Sequence, residues 1–315
     1  MKLRTLPNPQ SSSLTKILIL RFSSFGDIIQ CFSASDHLSS HFAPCEIHWA
    51  VRSDSADLVS THSKVDRVWS LDRKRGWMGL IELGLGLSKE NFTHVYDAHC
   101  NLRSHLLMGL LRVLYLGNSF SFVRRKKFRL RRWLLLKWKI RRLPWPFRGS
   151  QSFVYPLEKW GLSWKPDLHR QLNLPPISDE ILKMLKAPLY QTIVMAPSAA
   201  WKMKRWPTSS WQQLVRELKT QAFIIVGGPT DNFCSEIERI SPQNIVNLAG
   251  QLSWLETAAL IAQSQGCMSG DTGALHLSDY LGKPTLALIG PTAFGFPSWD
   301  NTQIMEVELK CRPCT

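Results

Sequence analysis

Two polar loops near opposite ends of the chain carry residue types and spacings suited to chemistry. The downstream loop is Ser269-Gly-Asp-Thr-Gly-Ala-Leu-His-Leu-Ser278. Asp271, Thr272 and Gly273 read as a polar turn, and Ala274 to Leu281 as a short helix that Gly282-Lys-Pro284 stops. The first N–H groups of a helix have no partner within it, and together with the helix dipole they attract an anion. Thr272 adds a hydroxyl, and His276 lies one turn in; the alternative is an ordinary capped helix. The upstream loop, Ser23-Ser-Phe-Gly-Asp27, runs into Ile28 and a helix. Asp27 then sits in a first helical turn, where a carboxylate is favoured by the dipole. It reads either as part of the cap or as a general base at the mouth of a sheet, and the two roles are compatible.

Further polar loops follow apolar runs. Ser198-Ala-Ala-Trp-Lys-Met-Lys-Arg-Trp-Pro207 offers Lys202, Lys204 and Arg205 to an anion. Gly227-Gly-Pro-Thr-Asp231 places Asp231 to accept from a ribose hydroxyl. With the Asp271 loop these make three anion-binding options after strands of one half, the pattern of a phosphate-plus-ribose site. In the first half, Asp97-Ala-His-Cys-Asn-Leu-Arg-Ser104 brings His99, Asn101 and Arg103 to the end of a strand, as cleft residues or as solvated loop residues. The chain has neither G-x-G-x-x-G nor a P-loop, which argues against dehydrogenase and nucleotidase readings.

The elements that must hold these loops are legible as short apolar runs. Lys16–Phe22 is too apolar to have a solvent face, the mark of a strand buried in a parallel sheet. Glu46–Val51, Arg67–Leu71 and His94–Ala98 continue the series, with a helix over Leu102–Leu116. A second series comprises Thr192–Pro197, Ala222–Gly228, Ile245–Leu248, Gly266–Met268 and Thr285–Ile289, with helices starting near Ser209, Asp231 and Ser253. Two successive βαβ arrays predict an α/β protein of two doubly wound, Rossmann-like domains facing across a cleft. The expected division is a flexible amino terminus (1–15), a first domain (16–175), a Pro-containing linker around 165–186 and a second domain (187–315).

At 315 residues, 44% hydrophobic and 20% charged, the chain is globular rather than disordered. No apolar run approaches the roughly 20 residues of a membrane span, and Met1–Thr15 lacks the apolar core of a secretion signal. The seven cysteines follow no framework spacing, which fits a reducing cytoplasm. Cys311-x-x-Cys314 supplies two thiols, not the four ligands of a structural zinc site. A formal net charge of +15 implies an acidic partner. Arg124 to Arg148 holds twelve Lys or Arg and no acid, interleaved with Leu130, Trp133, Leu134, Leu135, Leu136, Trp138 and Ile140. A basic amphipathic helix with Trp is a membrane-surface pattern, each nearby cation contributing about 1 kcal/mol at an anionic leaflet. Nucleic-acid binding is the competing use of such charge, but no binding-module motif surrounds it.

The chain resembles glycosyltransferase family 9, the lipopolysaccharide heptosyltransferases. The landmarks occur in order: Lys16-Ile-Leu-Ile-Leu-Arg-Phe-Ser-Ser-Phe-Gly-Asp27, Asp97-Ala-His-Cys-Asn-Leu-Arg-Ser104, Lys204-Arg-Trp-Pro207, Gly227-Gly-Pro229 and Asp271-Thr-Gly-Ala-Leu-His276. The resemblance covers nearly everything after Thr15. It implies a GT-B architecture and an inverting, metal-independent transfer of heptose from ADP-heptose, a substrate rather than a cofactor, to an inner-core lipopolysaccharide acceptor. Residue by residue, it implies Asp27 as general base and Lys204 at the donor phosphates. Asp231 would meet the ribose, and Asp271, Thr272, Gly273 and His276 the diphosphate and sugar. Arg103, with His99 and Asn101, would meet the acceptor. An acidic phosphorylated glycolipid would account for the basic segment 124–148, so the expected location is cytoplasmic, peripheral on the inner face of the bacterial inner membrane, with no nucleic-acid partner. Two departures stand out: Ser198-Ala-Ala200, where the family often has Gly and a hydroxyl residue, and an end at Cys311-Arg-Pro-Cys-Thr315, ahead of the expected closing helix. The alternatives are another sugar nucleotide or acceptor on the same scaffold, or a catalytically inactive relative that binds glycolipid or nucleotide.

Overall fold

The computed structural model describes residues 14–115, 120–309 and 311–314. The flexible amino terminus expected over 1–15 lies, through residue 13, outside the described residues, and Thr15 already opens the first strand.

Strand β1 (Thr15–Leu20) buries Ile17, Leu18, Ile19 and Leu20 completely, so both of its faces are covered. Each such side chain contributes roughly 1.5–3 kcal/mol relative to exposure. Helix α1 (Phe25–Phe42) follows, then β2 (Cys45–Arg52), β3 (Arg67–Leu71), α2 (Gly76–Leu87), β4 (His94–Asp97) and α3 (Leu102–Leu114). After these come β5 (Ser121–Arg124), α4 (Arg129–Trp138) and the two-residue β6 (Phe147–Arg148). The first sheet is parallel throughout in the order β3-β2-β1-β4-β5, so the winding reverses between β1 and β4.

The second half repeats the pattern with β7 (Thr192–Ala196), α5 (Thr208–Glu217), β8 (Ala222–Ile225), β9 (Ile245–Asn247) and α6 (Trp254–Gln263). Then follow β10 (Gly266–Gly270), α7 (Gly273–Tyr280), β11 (Thr285–Ile289), β12 (Phe294–Phe296) and β13 (Thr302–Glu306). Its sheet, also parallel, runs β13-β11-β10-β7-β8-β9, with the reversal between β7 and β10. In open sheets of this kind ligands bind beyond the carboxyl ends of the strands at the reversal. Those are the loops after β1, β7 and β10.

The two halves meet along α1 and α7, whose first turns approach closely. A Cβ on Gly26 would lie 2.7 Å from the His276 ring, and one on Gly273 would lie 2.5 Å from the Phe25 ring. Phe25 stacks on Trp254 with ring centroids 3.8 Å apart. Deeper in, the Tyr280 hydroxyl donates to Asp36 Oδ2 at 2.9 Å and lies 2.9 Å from His62 Nε2, all three buried. β6 and β12 pair as a small ribbon, a second seam between the halves. The stretch read as a linker is tied down rather than free. Arg170 sits 4.2 Å over the Trp299 ring and donates to the Asp279 carbonyl at 2.9 Å, while Leu172 bridges to His62.

The strands expected from apolar runs are all present, with ends shifted by a few residues. β5, β6, β12 and β13 were not anticipated. β13 is half-exposed at an edge and so lacks a continuous apolar run, while β5 merges into the basic segment.

Candidate functional site

A cavity of ≈ 730 Å³ opens between the sheets, walled by the loops after β1, β7, β8 and β10. On its first-domain wall, Ser24 and Gly26 lead into α1 and put Asp27 in the first turn. Asp27 is not a free carboxylate. Its Oδ2 accepts from Ser24 Oγ at 2.8 Å and is paired with Arg21 Nη2 at 2.6 Å, yet its side chain keeps 37% of its surface exposed. Burial would push this carboxyl up, but the charges of Arg21 and Arg125 and the Ser24 hydrogen bond outweigh it and hold the pKa below the ordinary value. Arg21 is buried in turn and anchored by donating to the Ala98 carbonyl at 3.0 Å. It comes from the end of β1, so strand and helix together aim the carboxylate.

On the opposite wall the Asp271 loop is organised from within. Lys204 Nζ donates to Asp271 Oδ2 at 2.7 Å, and His276 Nε2 lies 3.3 Å from Asp271 Oδ1. Burial would raise the Asp271 carboxyl, but His276 and then Lys204 bring its pKa down to about 2. Asp271 therefore aims Lys204 and His276 with both oxygens, while Thr272, Gly273 and Ala274 present the start of α7 to the cavity. Gln30 of α1 reaches across: its Nε2 lies 3.0 Å from His276 Nδ1 and donates to the Gly295 carbonyl at 3.1 Å. A preorganised cation beside a helix N-terminus, facing a carboxylate, is an arrangement able to stabilise a departing anion while a proton is removed opposite.

The structure thus brings Asp27, Lys204, Asp271, Thr272, Gly273 and His276 to one cavity. Asp231 is not on its wall. Its Oδ2 accepts from Gly228 N at 2.7 Å and its Oδ1 is paired with Arg205 at 3.3 Å, so it folds the Gly-Gly-Pro loop instead of reaching into the space that loop frames. His99, Asn101 and Arg103 are also off this wall. Asn101 caps α3 in a reciprocal box with Ser104, and Arg103 is exposed. His99 is buried edge-on against Phe22, and burial lowers its pKa to about 3, so it is neutral.

Residues that sequence reasoning passed over take the space. Arg125 and Arg132, from the segment expected to face a membrane, line the cavity. Arg125 lies 3.6 Å over the Phe153 ring and donates to Ser152 Oγ at 2.7 Å; burial lowers its pKa to about 10. Arg132 lies 4.1 Å over Phe294, and its Nε has no partner among the described residues. On the outer side of α4 Leu130, Trp133 and Trp138 are exposed, while Leu135 is buried against the domain. A signal existed for Arg125: it lies just after a strand, as Asp27 and Lys204 do, but β5 itself went unread.

Among the described residues no group of three or more His, Cys, Asp or Glu is placed to hold a metal ion, and no helix is long and apolar enough to cross a membrane. Cys311 and Cys314 are free thiols.

Residues 155–315 match the family described as glycosyltransferase family 9 (heptosyltransferase). Over nearly the whole chain there is similarity to a lipopolysaccharide core heptosyltransferase, OpsX, of Haemophilus influenzae. That match is 20% identical and covers 86% of this chain and 78% of the relative. A second relative is lipopolysaccharide heptosyltransferase 1 of Pseudomonas aeruginosa, 23% identical over 95% of this chain and 86% of its own. Among solved structures, the ADP-heptose lipopolysaccharide heptosyltransferase II of E. coli superposes with a TM-score of 0.69 at 16% identity, covering 95% of this chain and 92% of that one. This likeness establishes the fold, GT-B with two Rossmann-like domains.

Proposed function

The chain belongs to glycosyltransferase family 9, the heptosyltransferases, and from that premise we propose that it moves a heptose from ADP-heptose onto an acidic, phosphorylated glycolipid of the lipopolysaccharide inner core. The observation that carries this reading is the single cavity on which Asp27 faces Lys204 and the start of α7. The relatives' names supply the sugar and the glycolipid.

In this reading an acceptor hydroxyl lies against Asp27 and attacks the anomeric carbon from the face opposite the ADP. A bond forms between the acceptor oxygen and that carbon while the bond from carbon to phosphate oxygen breaks. The configuration inverts, the proton passes to Asp27, and the electron pair leaves on ADP. Lys204, aimed by Asp271, and the N–H groups of Thr272, Gly273 and Ala274 receive the developing diphosphate charge; no metal is called on. His276, held by Asp271 and Gln30, stands between donor and base. Asp231 acts through the Gly-Gly-Pro loop, shaping the donor pocket. Arg125 and Arg132 supply positive charge on the acceptor side, nearer the base than Arg103. The exposed basic and aromatic residues of α4 would rest on an anionic membrane surface, placing the enzyme on the cytoplasmic face of the membrane that holds its acceptor.

The test is transfer followed by mass spectrometry, with ADP-heptose and a Kdo-bearing lipid A acceptor. The expected result is a gain of one heptose, falling about 10²–10⁴-fold in Asp27→Asn while ADP binding is kept. Transfer at the normal rate by Asp27→Asn would remove Asp27 as the base. Failure to bind ADP-heptose would overturn the donor.

A further inference from the structure

Gln30 lies one turn after Asp27 on α1 and is buried, polar end included. Its amide is packed against the seam formed by β6 and β12. A Cβ on Gly149, just past β6, would lie 2.2 Å from Gln30 Nε2, so the amide fits there only because that residue is glycine. Gln30 Nε2 donates to the carbonyl of Gly295, in β12, at 3.1 Å. It also lies 3.0 Å from His276 Nδ1 and 3.3 Å from His276 Nε2. An amide nitrogen carries two hydrogens and accepts nothing, so one is committed to Gly295 and the other is turned to the ring.

The ring's other neighbour decides where its hydrogen sits. Asp271, its pKa brought down to about 2, is ionised and can only accept, and its Oδ1 lies 3.3 Å from His276 Nε2. The hydrogen therefore belongs on Nε2, and Nδ1, the nitrogen nearer Gln30, is left as the acceptor that the amide serves. A second hydrogen on Nδ1 would set N–H against N–H. Turning the amide over to relieve that would set Gln30 Oε1 against the Gly295 carbonyl, oxygen against oxygen. Which ring nitrogen carries the proton is set by the hydrogen bond that the other one makes. Here that bond comes from the opposite half of the molecule. With Oδ1 engaged by the ring, Asp271 Oδ2 takes Lys204 Nζ at 2.7 Å.

We propose that Gln30 is a positioning residue that fixes the hydrogen of His276 on Nε2 and, through Asp271, aims Lys204 at the donor's diphosphate. The relay runs from the Gly295 carbonyl through Gln30, His276 and Asp271 to Lys204. Gln30 is its one member from the first half, and it stands on the helix that carries Asp27. One helix thus presents the base and also sets the cation that faces it. The donor site is complete only while α1 is docked on α7, which ties the aim of Lys204 to the presence of the acceptor wall. The proposal rests on the reading of Lys204 as the group that meets the diphosphate.

Nitrogen NMR of the full chain with ring-labelled histidine tests it without turnover, His276→Gln identifying the signal and ADP serving as the binding probe. At neutral pH the wild type should carry a hydrogen on His276 Nε2 alone; one on Nδ1, or on both nitrogens, would overturn the proposal. Gln30→Met is similar in length but has no N–H. In it the hydrogen should spread over both nitrogens, and ADP affinity should fall about 3–10-fold, the effect of losing one positioning hydrogen bond. Either change without the other would overturn the relay, as would neither. Gln30→Glu keeps the shape and decides the matter should Gln30→Met fail to fold. It adds a carboxylate to Asp27, Asp271 and Asp279 around the ring and replaces the donor by an acceptor, so both nitrogens should be protonated. A charged ring competes with Lys204 for Asp271, so ADP affinity should fall here too. A ring and an ADP affinity like the wild type's would show that Gln30 merely fills space. The expected ring state and ADP effects in a protein that transfers no heptose would leave the relay standing and overturn the transfer reading. Heptose transfer with the hydrogen elsewhere on the ring would do the reverse.

Discussion

Asp27 owes its chemical state to Arg21 more than to its place at a helix start. A carboxylate with an ordinary pKa of about 3.9 is here held lower, so above that pH it is ionised and able to accept a proton. Falling pH protonates it only below the ordinary value. The acid limb of kcat/KM set by Asp27 should therefore lie below pH ~4 in the wild type. In Arg21→Met the strongest lowering charge is gone and burial, which raises the pKa, faces less opposition. The limb should move upward. A pH–rate profile between pH 4 and 8 measures this, and an unmoved limb would show that Arg21 does not tune the base. The same logic separates Lys204 from the other cations of its loop: Asp271 points it into the cavity, a constraint Lys202 lacks among the described residues.

At the scale of elements, the close crossing of α1 and α7 decides how accurately Asp27 and the Asp271 loop face one another. Gly273→Ala tests it with two opposing effects. Alanine gains up to about 1 kcal/mol over glycine as a helix former. Its Cβ would meet the Phe25 ring at 2.5 Å, and that ring is pinned on Trp254. Overpacking of this kind costs about 1–3 kcal/mol, so net destabilisation is expected. The displaced start of α7 should also weaken ADP binding. Urea unfolding and ADP titration of the variant read both, and a more stable variant with unchanged ADP affinity would show that the crossing has slack. The α4 segment is an element with two jobs, its Arg132 turned to the cavity and Trp133 and Trp138 turned to solvent.

For the whole molecule, the relation between the halves is set by buried polar contacts as well as apolar ones. The Tyr280 hydroxyl joins Asp36 and His62 across the seam, all three of them buried. Tyr280→Phe leaves a buried acceptor short of its donor, which costs about 1–3 kcal/mol. A fall of that size in unfolding free energy, with ADP binding preserved, is expected; no change would mean that apolar packing alone holds the seam. Net charge acts at the same scale: a +15 chain meets anionic surfaces through long-range attraction that salt screens.

What the sequence determined by itself was local. Runs such as Ile17–Leu20 are buried on both faces whatever surrounds them, and Gly and Pro punctuate the loops, so the two arrays and the polar loops after β1, β7 and β10 were readable. The loops that hold Asp27, Lys204 and Asp271 were legible because each follows a parallel strand, while the choice of Lys204 over Lys202 and Arg205 came from the family resemblance. Tertiary structure alone decided where ambivalent side chains point. Asp231 could serve a ribose or its own loop, and the nearness of Gly228 N and Arg205 settled its geometry. Arg125 and Arg132 belong to a run of charge whose composition suits any anionic partner; only the packing of β5 and α4 against the cleft turns these two inward. Direction depends on what lies opposite, and in this chain what lies opposite is far away in sequence.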